Sequence, residues 1–309
     1  MKIVFMGTPD LAVTILDAIV HSDHQVVAVV TREDKPKGRG KELAFPPVKD
    51  YALSHDLPVF QPEKIKTEEA VQYLRTLDAD IFVVAAYGQI LSREILSIPK
   101  YGCINVHTSL LPKYRGSSPI QWAIIEGEKE TGVTIMQMDE GMDTGDILFT
   151  QTIAIDPDET GGSLHDKLAD LGAQMIVPAL NAIEAGDVHP VKQDDTRATY
   201  TKMLSKKMGF IHFDRSADEI ARLVRGLDPW PSAFTLYQGK ILKIWKAKPF
   251  REVSSKTPGT VLRVDQEAIY VDTGNGVLQI TELQLEGKKR LQAKEFLLGC
   301  KIQAGDILG

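Results

Sequence analysis

Three side chains in the first half of the chain are of types that together move protons and steady a developing charge. Asn105 and His107 lie two apart in the short apolar run Cys103–His107, which reads as a strand. Side chains at i and i+2 of a strand leave the same face, so an amide and an imidazole emerge together. Asp143 sits farther on, in the acidic, glycine-rich stretch Met138-Asp-Glu-Gly-Met-Asp-Thr-Gly-Asp146, directly after another apolar strand. A carboxylate brought near His107 could fix its tautomer and stabilise its protonated form. The set is then a hydrogen-bond donor, an acid/base and an orienter. It needs no serine, cysteine or metal, so direct transfer suits it better than a covalent intermediate. A lone histidine is more often a buried one hydrogen-bonded beside a loop, and an acidic turn often has no special role. The functional reading comes from taking the two segments together.

Other chemistries lack their residues. The first turn, Gly7-Thr8-Pro9-Asp10, is not a Gly-x-Gly-x-x-Gly dinucleotide loop. No phosphate loop of the Gly-x-x-x-x-Gly-Lys type is present, and no Cys/His set has zinc-ligand spacing. Dehydrogenases, P-loop NTPases and zinc hydrolases therefore leave the leading group. A third feature is basic: in Arg32-Glu-Asp-Lys-Pro-Lys-Gly-Arg-Gly-Lys41, the cations Lys35, Lys37, Arg39 and Lys41 alternate with proline and glycine. A long basic, glycine-rich loop can follow a phosphate backbone; it can equally be a solvated, mobile loop.

The elements that must position these residues alternate strand and helix. Lys2–Met6, Gln25–Thr31, Asp80–Ala86 and Cys103–His107 read as strands, with helices over Leu11–His21, Val48–His55 and Thr67–Leu77 between them. The continuous apolar run Asp80–Ala86 suits a strand buried on both faces. This alternation predicts an α/β fold with a mostly parallel sheet, in which ligands sit at the strand C-termini, where Asn105 and His107 emerge. Later strands are expected over Thr131–Asp139 and Asp146–Ile155, a helix from near Ile120, and a long helix over Ser163–Ala185. From about 186 to 209 the pattern breaks into a polar, basic linker. One helix, Ala217–Leu227, follows, and then strand-like runs at Ala233–Tyr237, Lys240–Ala247, Gly259–Val264, Ala268–Asp272 and Val277–Leu285, with hairpin signals at Gln238-Gly239 and Asn275-Gly276. About five short strands suggest a small OB-like β-barrel; an SH3-like barrel or a sandwich would read similarly.

The 309 residues are comfortable for two domains. Net charge is −6, but residues 1–191 carry 16 Lys and Arg against 28 Asp and Glu, and residues 192–309 carry 20 against 14. An acidic front and a basic back suggest a polyanion for the back half, or ordinary scatter between domains. The two cysteines, Cys103 and Cys300, suit a reducing compartment. The opening apolar run is too short for a signal peptide, and no run reaches the ~20 apolar residues of a membrane span, so a cytoplasmic location with no membrane role is expected.

These segments together resemble the 10-formyltetrahydrofolate-dependent formyltransferase family. The resemblance rests on Asn105-x-His107-x-Ser109-Leu110-Leu111-Pro112 with Gly116, and on Asp143 in Gly-Met-Asp-Thr-Gly-Asp. Phe5-Met-Gly-Thr-Pro-Asp, Gly38-Arg39-Gly40-Lys41, Leu57-Pro-Val-Phe-Gln-Pro62 and Gly226-Leu-Asp-Pro-Trp-Pro231 look like its tRNA-formylating branch, and the likeness runs along essentially the whole chain. It implies a Rossmann-like catalytic domain over 1–189 with helices on both faces, a linker over 190–209, and an OB-like tRNA-binding domain over 210–309. It implies that Asn105, His107 and Asp143 are catalytic. It puts reduced folate against Tyr87-Gly88-Gln89-Ile90, Ser109–Pro112 and Asp139, with 10-formyltetrahydrofolate as donor and no metal. It implies that Lys35, Lys37, Arg39 and Lys41 meet the acceptor stem of initiator methionyl-tRNA, Arg39 foremost. Nothing demands more than a monomer. A sugar-nucleotide N-formyltransferase, or the hydrolase part of a folate enzyme, would share the catalytic residues, and the basic loop and basic back half favour tRNA over them. A non-catalytic RNA-binding protein is the rival of another class.

Overall fold

The computed structural model describes residues 1–37, 42–253 and 257–309. In chain order the elements are β1 Lys2–Gly7, α1 Asp10–Val20, β2 Gln25–Val30, β3 Lys35–Lys37, β4 Glu42–Ala44, α2 Pro47–Ser54, β5 Val59–Phe60, α3 Glu68–Thr76, β6 Ile81–Ala85, α4 Arg93–Leu96, β7 Cys103–His107, β8 Arg115–Gly116, α5 Pro119–Glu126, β9 Glu130–Gln137, β10 Ile147–Ala154 and α6 Gly161–Ala185. They continue as β11 Tyr200–Thr201, α7 Ala217–Gly226, β12 Ala233–Tyr237, β13 Lys240–Phe250, β14 Val261–Val264, β15 Ile269–Asp272, β16 Val277–Leu285, β17 Leu291–Gln292 and α8 Ala293–Gly299. The chain divides into two compact units: Met1–Gly116, Glu130–Ala154 and His165–Thr201 form one, and Ser117–Lys129, Ile155–Leu164 and Lys202–Gly309 the other.

The first unit is built on a seven-stranded sheet in the order β10-β9-β7-β6-β1-β2-β5. The pairs β6–β7, β1–β6, β1–β2 and β2–β5 are parallel, whereas β9 runs antiparallel to both β7 and β10. The sheet is thus mostly parallel, as expected. β6 is buried at every residue, which is why it reads as an unbroken apolar run; edge strand β10 is half-buried to exposed throughout. On one face Val4, Met6, Ala28, Val30, Phe82 and Val84 pack with Ala70, Val71 and Leu74 of α3 and Ile95 of α4. On the other, Gly172 of α6 lets that helix approach β7 and α1: a β-carbon there would sit 3.1 Å from Val106 and 3.2 Å from Ile15. Helices therefore cover both faces. The chain leaves β1 toward β2 and β5, then returns across β1 to β6, so the direction of winding reverses between β1 and β6. Ligand crevices of open α/β sheets lie outside the strand C-termini at such a reversal.

The second unit holds an antiparallel sheet, β12-β13-β16-β15-β14, with β17 joined to β16. α7 starts at a reciprocal cap, in which the Ser216 hydroxyl accepts from the Glu219 amide and the Glu219 carboxylate accepts from Ser216. Its buried face, Ala217, Ile220, Ala221 and Val224, packs into one core with Leu242, Ile244, Leu278 and Ile280.

One expectation needed revision, and several short elements went unread. The 32–41 stretch, read as a loop, contains β3, which pairs with β4 as a short hairpin from Lys35↔Ala44 to Lys37↔Glu42; three-residue strands beside proline and glycine carry no alternation to read. Helix α8 went unread because at seven residues it is too short to show a helical period. Both cysteines are free thiols, and burial pushes that of Cys103 up to about 12. Among the described residues, no helix is long and apolar enough to cross a membrane.

Candidate active site

β7 delivers Asn105 and His107 at its C-terminal end, beside β6. His107 is 7% exposed. Its Nε2 lies 3.0 Å from the carbonyl oxygen of Tyr114, an acceptor only, so Nε2 carries the proton in that bond. The other ring nitrogen, Nδ1, faces Asp143 Oδ2 at 3.8 Å. That is too long for a direct hydrogen bond, yet one atom placed ~3 Å from each group could touch both. Asp143 Oδ2 instead accepts the Gly116 N–H at 2.7 Å. Among the described residues no hydrogen bond engages the half-buried Asn105 side chain, so its amide is available to a ligand.

The turn after β7 is held from within. The Ser109 hydroxyl donates to Lys113 O at 2.7 Å, Thr134 Oγ1 donates to Ser109 O at 2.7 Å, and the Leu111 N–H donates to Thr134 Oγ1 at 3.2 Å. Ser109 and Leu111 are buried while Leu110 and Pro112 are half-buried. Ser109 therefore shapes the loop, and of the apolar side chains that follow, Leu110 and Pro112 reach its surface. The Asp139 carboxylate accepts from the Gly141 amide at 3.0 Å and from the Thr144 hydroxyl at 2.6 Å, which folds the acidic loop back on itself.

The Ala86–Ile90 loop borders the β1/β6 reversal. Thr8 Oγ1 donates to Tyr87 O at 3.0 Å, tying the two strand ends together. Tyr87 is 2% exposed and packs in the core, where burial pushes its hydroxyl up to about 12. The Gln89 side chain is occupied by the Ile65 amide and the Pro62 and Glu63 carbonyls. Backbone at Ala86 and Gly88, and the exposed Ile90 side chain, are what this loop offers a ligand.

Beyond β1 and β2 an open cleft of about 720 Å³ is lined by Thr8, Asp10, Arg32, Lys35, Phe45 and Tyr51, among others. The hairpin rises beside it on a clamped root: Lys49 Nζ bonds both Asp34 oxygens at 2.9 and 2.7 Å, and Gln61 Nε2 donates to Asp34 Oδ1 at 2.9 Å and Arg32 O at 2.7 Å. The bonds from Gln61, then Lys49, hold the Asp34 carboxyl below its ordinary value. Lys35 is exposed. Lys37 lies on β3, and Arg39 and Lys41 lie outside the described residues.

Sequence reading passed over Arg115, Gln193 and Thr134. Each acts by bonding backbone or another polar side chain, and leaves no spacing to detect. No group of three or more possible metal ligands occurs among the described residues.

Two family models match: formyl transferase over residues 1–180, and formyl transferase, C-terminal domain, over residues 203–301. The methionyl-tRNA formyltransferase of Lachnospira eligens is 52% identical over 314 residues, covering all of both chains, and that of Agathobacter rectalis is 51% identical over 99% of each. This chain belongs to the methionyl-tRNA formyltransferases. Its fold also recurs beyond that branch of the formyl transferases. The crystal structure of WlaRD, a sugar 3N-formyl transferase, in the presence of dTDP and 5-N-formyl-THF, superposes with a TM-score of 0.68 at 21% identity, over 94% of this chain and 99% of that one. For a methionyl-tRNA formyltransferase the 105–116 and 139–146 segments fall within the first family model, and α7 with the antiparallel sheet falls within the second.

Proposed function

We propose that this chain transfers the formyl group of 10-formyltetrahydrofolate to the free amino group of methionine on initiator methionyl-tRNA, by direct attack. The observation that carries the reading is His107 facing Asp143 at the C-terminal end of the sheet, two residues after Asn105 on the same strand, in a chain similar to methionyl-tRNA formyltransferases from end to end.

The methionyl amine attacks the formyl carbon, the new C–N bond forms, and the carbonyl oxygen becomes an oxyanion. Asn105 donates to that oxygen; losing one such donor usually costs about 10²–10³ in rate. His107 has Nε2 committed to Tyr114 O, so Nδ1 is the nitrogen that meets the reacting atoms. It takes the proton lost by the amine while Asp143 faces the imidazolium that results. The C–N bond to the folate then breaks, the carbonyl re-forms, and the proton passes from Nδ1 to the departing folate nitrogen. Folate lies against the Tyr87–Ile90 loop, chiefly its backbone, with Ser109–Pro112 and Asp139 completing the pocket. Lys35, Lys37, Arg39 and Lys41 meet acceptor-stem phosphates. Residues 1–189 act as the catalytic domain, 190–209 as the linker and 210–309 as a tRNA-holding domain, in a cytoplasmic monomer without metal.

Labelled 10-formyltetrahydrofolate offered with initiator methionyl-tRNA, elongator methionyl-tRNA and a UDP-amino sugar tests this. Formylation confined to the initiator is expected. Formylation of the sugar alone would overturn the tRNA assignment, and no transfer to any acceptor would overturn the enzyme reading.

A further inference from the structure

We propose that Gln193, in the segment read as linker, is a positioning residue for the transfer reaction and acts through Asp143; this rests on the assignment of Asp143 to the reacting set. Gln193 is 5% exposed and every hydrogen-bonding site on its amide is engaged. Nε2 donates to Asp143 O at 2.8 Å and to Gly145 O at 2.7 Å, while Oε1 accepts from Arg115 Nε at 3.1 Å and Nη2 at 2.8 Å. The partners allow one orientation only, since carbonyls need the NH₂ end and a guanidinium needs the oxygen. Arg115 is 1% exposed, and a buried cation must be hydrogen-bonded on its remaining N–H groups. Asp195 Oδ1 at 2.7 Å and the Tyr200 hydroxyl at 3.1 Å meet that need.

Two routes run from this clasp to Asp143. The first is through its backbone. Asp143 has φ +54°, a left-handed conformation that costs a residue with a β-carbon about 1–2 kcal/mol and persists only where the surroundings impose it. Gln193 bonds the carbonyl of that very residue. The second is through its side chain: Arg115 anchors the backbone next to Gly116, whose N–H bonds Asp143 Oδ2. With Gln193 gone, the carbonyls of Asp143 and Gly145 lose their donor, and Arg115 loses the acceptor shared by its Nε and Nη2. The carboxylate is then free to drift from its place 3.8 Å from His107 Nδ1. Misplacing a reacting group by about 1 Å can cost about 10²-fold.

The test compares wild type with Gln193→Ala, Gln193→Glu, Asp143→Ala and the Gln193→Ala/Asp143→Ala double variant, in formyl transfer to initiator methionyl-tRNA. Gln193→Glu keeps the shape and the Arg115 contact but turns a carboxylate toward two carbonyls. Each single Gln193 variant is expected to lower kcat about ten- to a hundredfold, with KM for folate and for charged tRNA within about twofold of wild type. Residues that act as one unit are not additive, so Gln193→Ala should cost less than about twofold once Asp143 is alanine. An equal loss in both backgrounds, or wild-type kcat in Gln193→Ala, would overturn the proposal. Should the buried variants fail to fold, Asp195→Ala and Tyr200→Phe, at positions 74% and 63% exposed, loosen Arg115 from the solvent side. They should lower kcat about two- to fivefold, again only while Asp143 is present; wild-type kcat in both would sink the clasp. Absence of transfer by the wild type refutes the functional reading together with this proposal, whereas additive losses on an active wild type refute the proposal alone.

Discussion

The reacting corner and the basic hairpin stand on the same half of the molecule and are built on opposite rules. Around Asp143 polar atoms are bonded in several directions: its carboxylate to Gly116, its carbonyl to Gln193, and His107 to Tyr114. The hairpin β3–β4 has three backbone rungs and a root clamped by Asp34, Lys49 and Gln61, and Lys35 and Leu43 on it are exposed. On the proposed mechanism bond formation tolerates displacements of a fraction of an ångström, which suits a corner held from backbone and side chain at once. On the proposed reading the arm meets a phosphate backbone, which is drawn by long-range charge, and for that a fixed root suffices.

The contrast predicts where substitutions show up. The largest effects should come from Asn105→Ala, His107→Ala and Asp143→Ala, each lowering kcat about 10²–10³-fold or more while KM for charged tRNA stays within a few-fold. Steady-state kinetics with each substrate varied in turn checks this. If any of the three kept near wild-type kcat, that residue would have to leave the reacting set.

Much of this corner was legible in the sequence, and physical reasons separate what was from what was not. Cys103–His107 is buried from its neighbours' side and ends in two polar side chains at a strand period, a pattern that shows in one dimension. The covered central strand β6 shows for the same reason. Gln193 does not, because its partners are carbonyls of Asp143 and Gly145 and the guanidinium of Arg115; a glutamine in a polar stretch looks alike whether it is solvated or saturated. The hairpin was missed because Pro36 and three-residue strands leave no alternation, and α8 because it spans barely two turns. Ser109 and Gln89 teach a related lesson. Both lie in segments whose resemblance implied ligand contact, yet the Ser109 side chain is taken up by its own loop and the Gln89 side chain by the neighbouring 62–65 segment.

A middle-sized effect tests the link between loop shape and chemistry. Gly116 has φ +99°, and a β-carbon there would stand 3.0 Å from Thr201 O and 3.3 Å from the Met142 sulfur. Gly116→Ala is therefore strained in backbone and crowded in space, and its N–H is the one that holds the Asp143 carboxylate. Thermal unfolding should show a loss of at least about 1 kcal/mol, and kcat should fall about tenfold as Asp143 shifts. A destabilised variant with wild-type kcat would separate the loop's fold from Asp143's placement and break the contrast drawn above.

The smallest effect belongs to the arm. Lys49→Met removes the cation from the clamp on Asp34 and leaves the reacting corner intact. The pair is partly shielded, its side chains 14% and 22% exposed, and Gln61 keeps its own bond to Asp34, so KM for charged tRNA should rise about threefold, with kcat and KM for folate unchanged. Equal rises in both KM values would mean that the arm's root also shapes the folate pocket. The same clamp fixes a sign for pH. Asp34 is held below its ordinary value by Gln61 and Lys49, so its contribution is fully present above the unfolded carboxylate range near ~3.9 and is lost as pH falls through the lower folded value. Tightness of the arm should therefore not vary between about pH 5 and 8 on this account, and should fail only in acid. Asp34→Asn reproduces the acid state at neutral pH. Limited proteolysis within 35–44 should then be faster in Asp34→Asn than in wild type at pH 7, and the two should converge as the wild type is acidified. Rates that already match at pH 7 would show that the carboxylate does not hold the root.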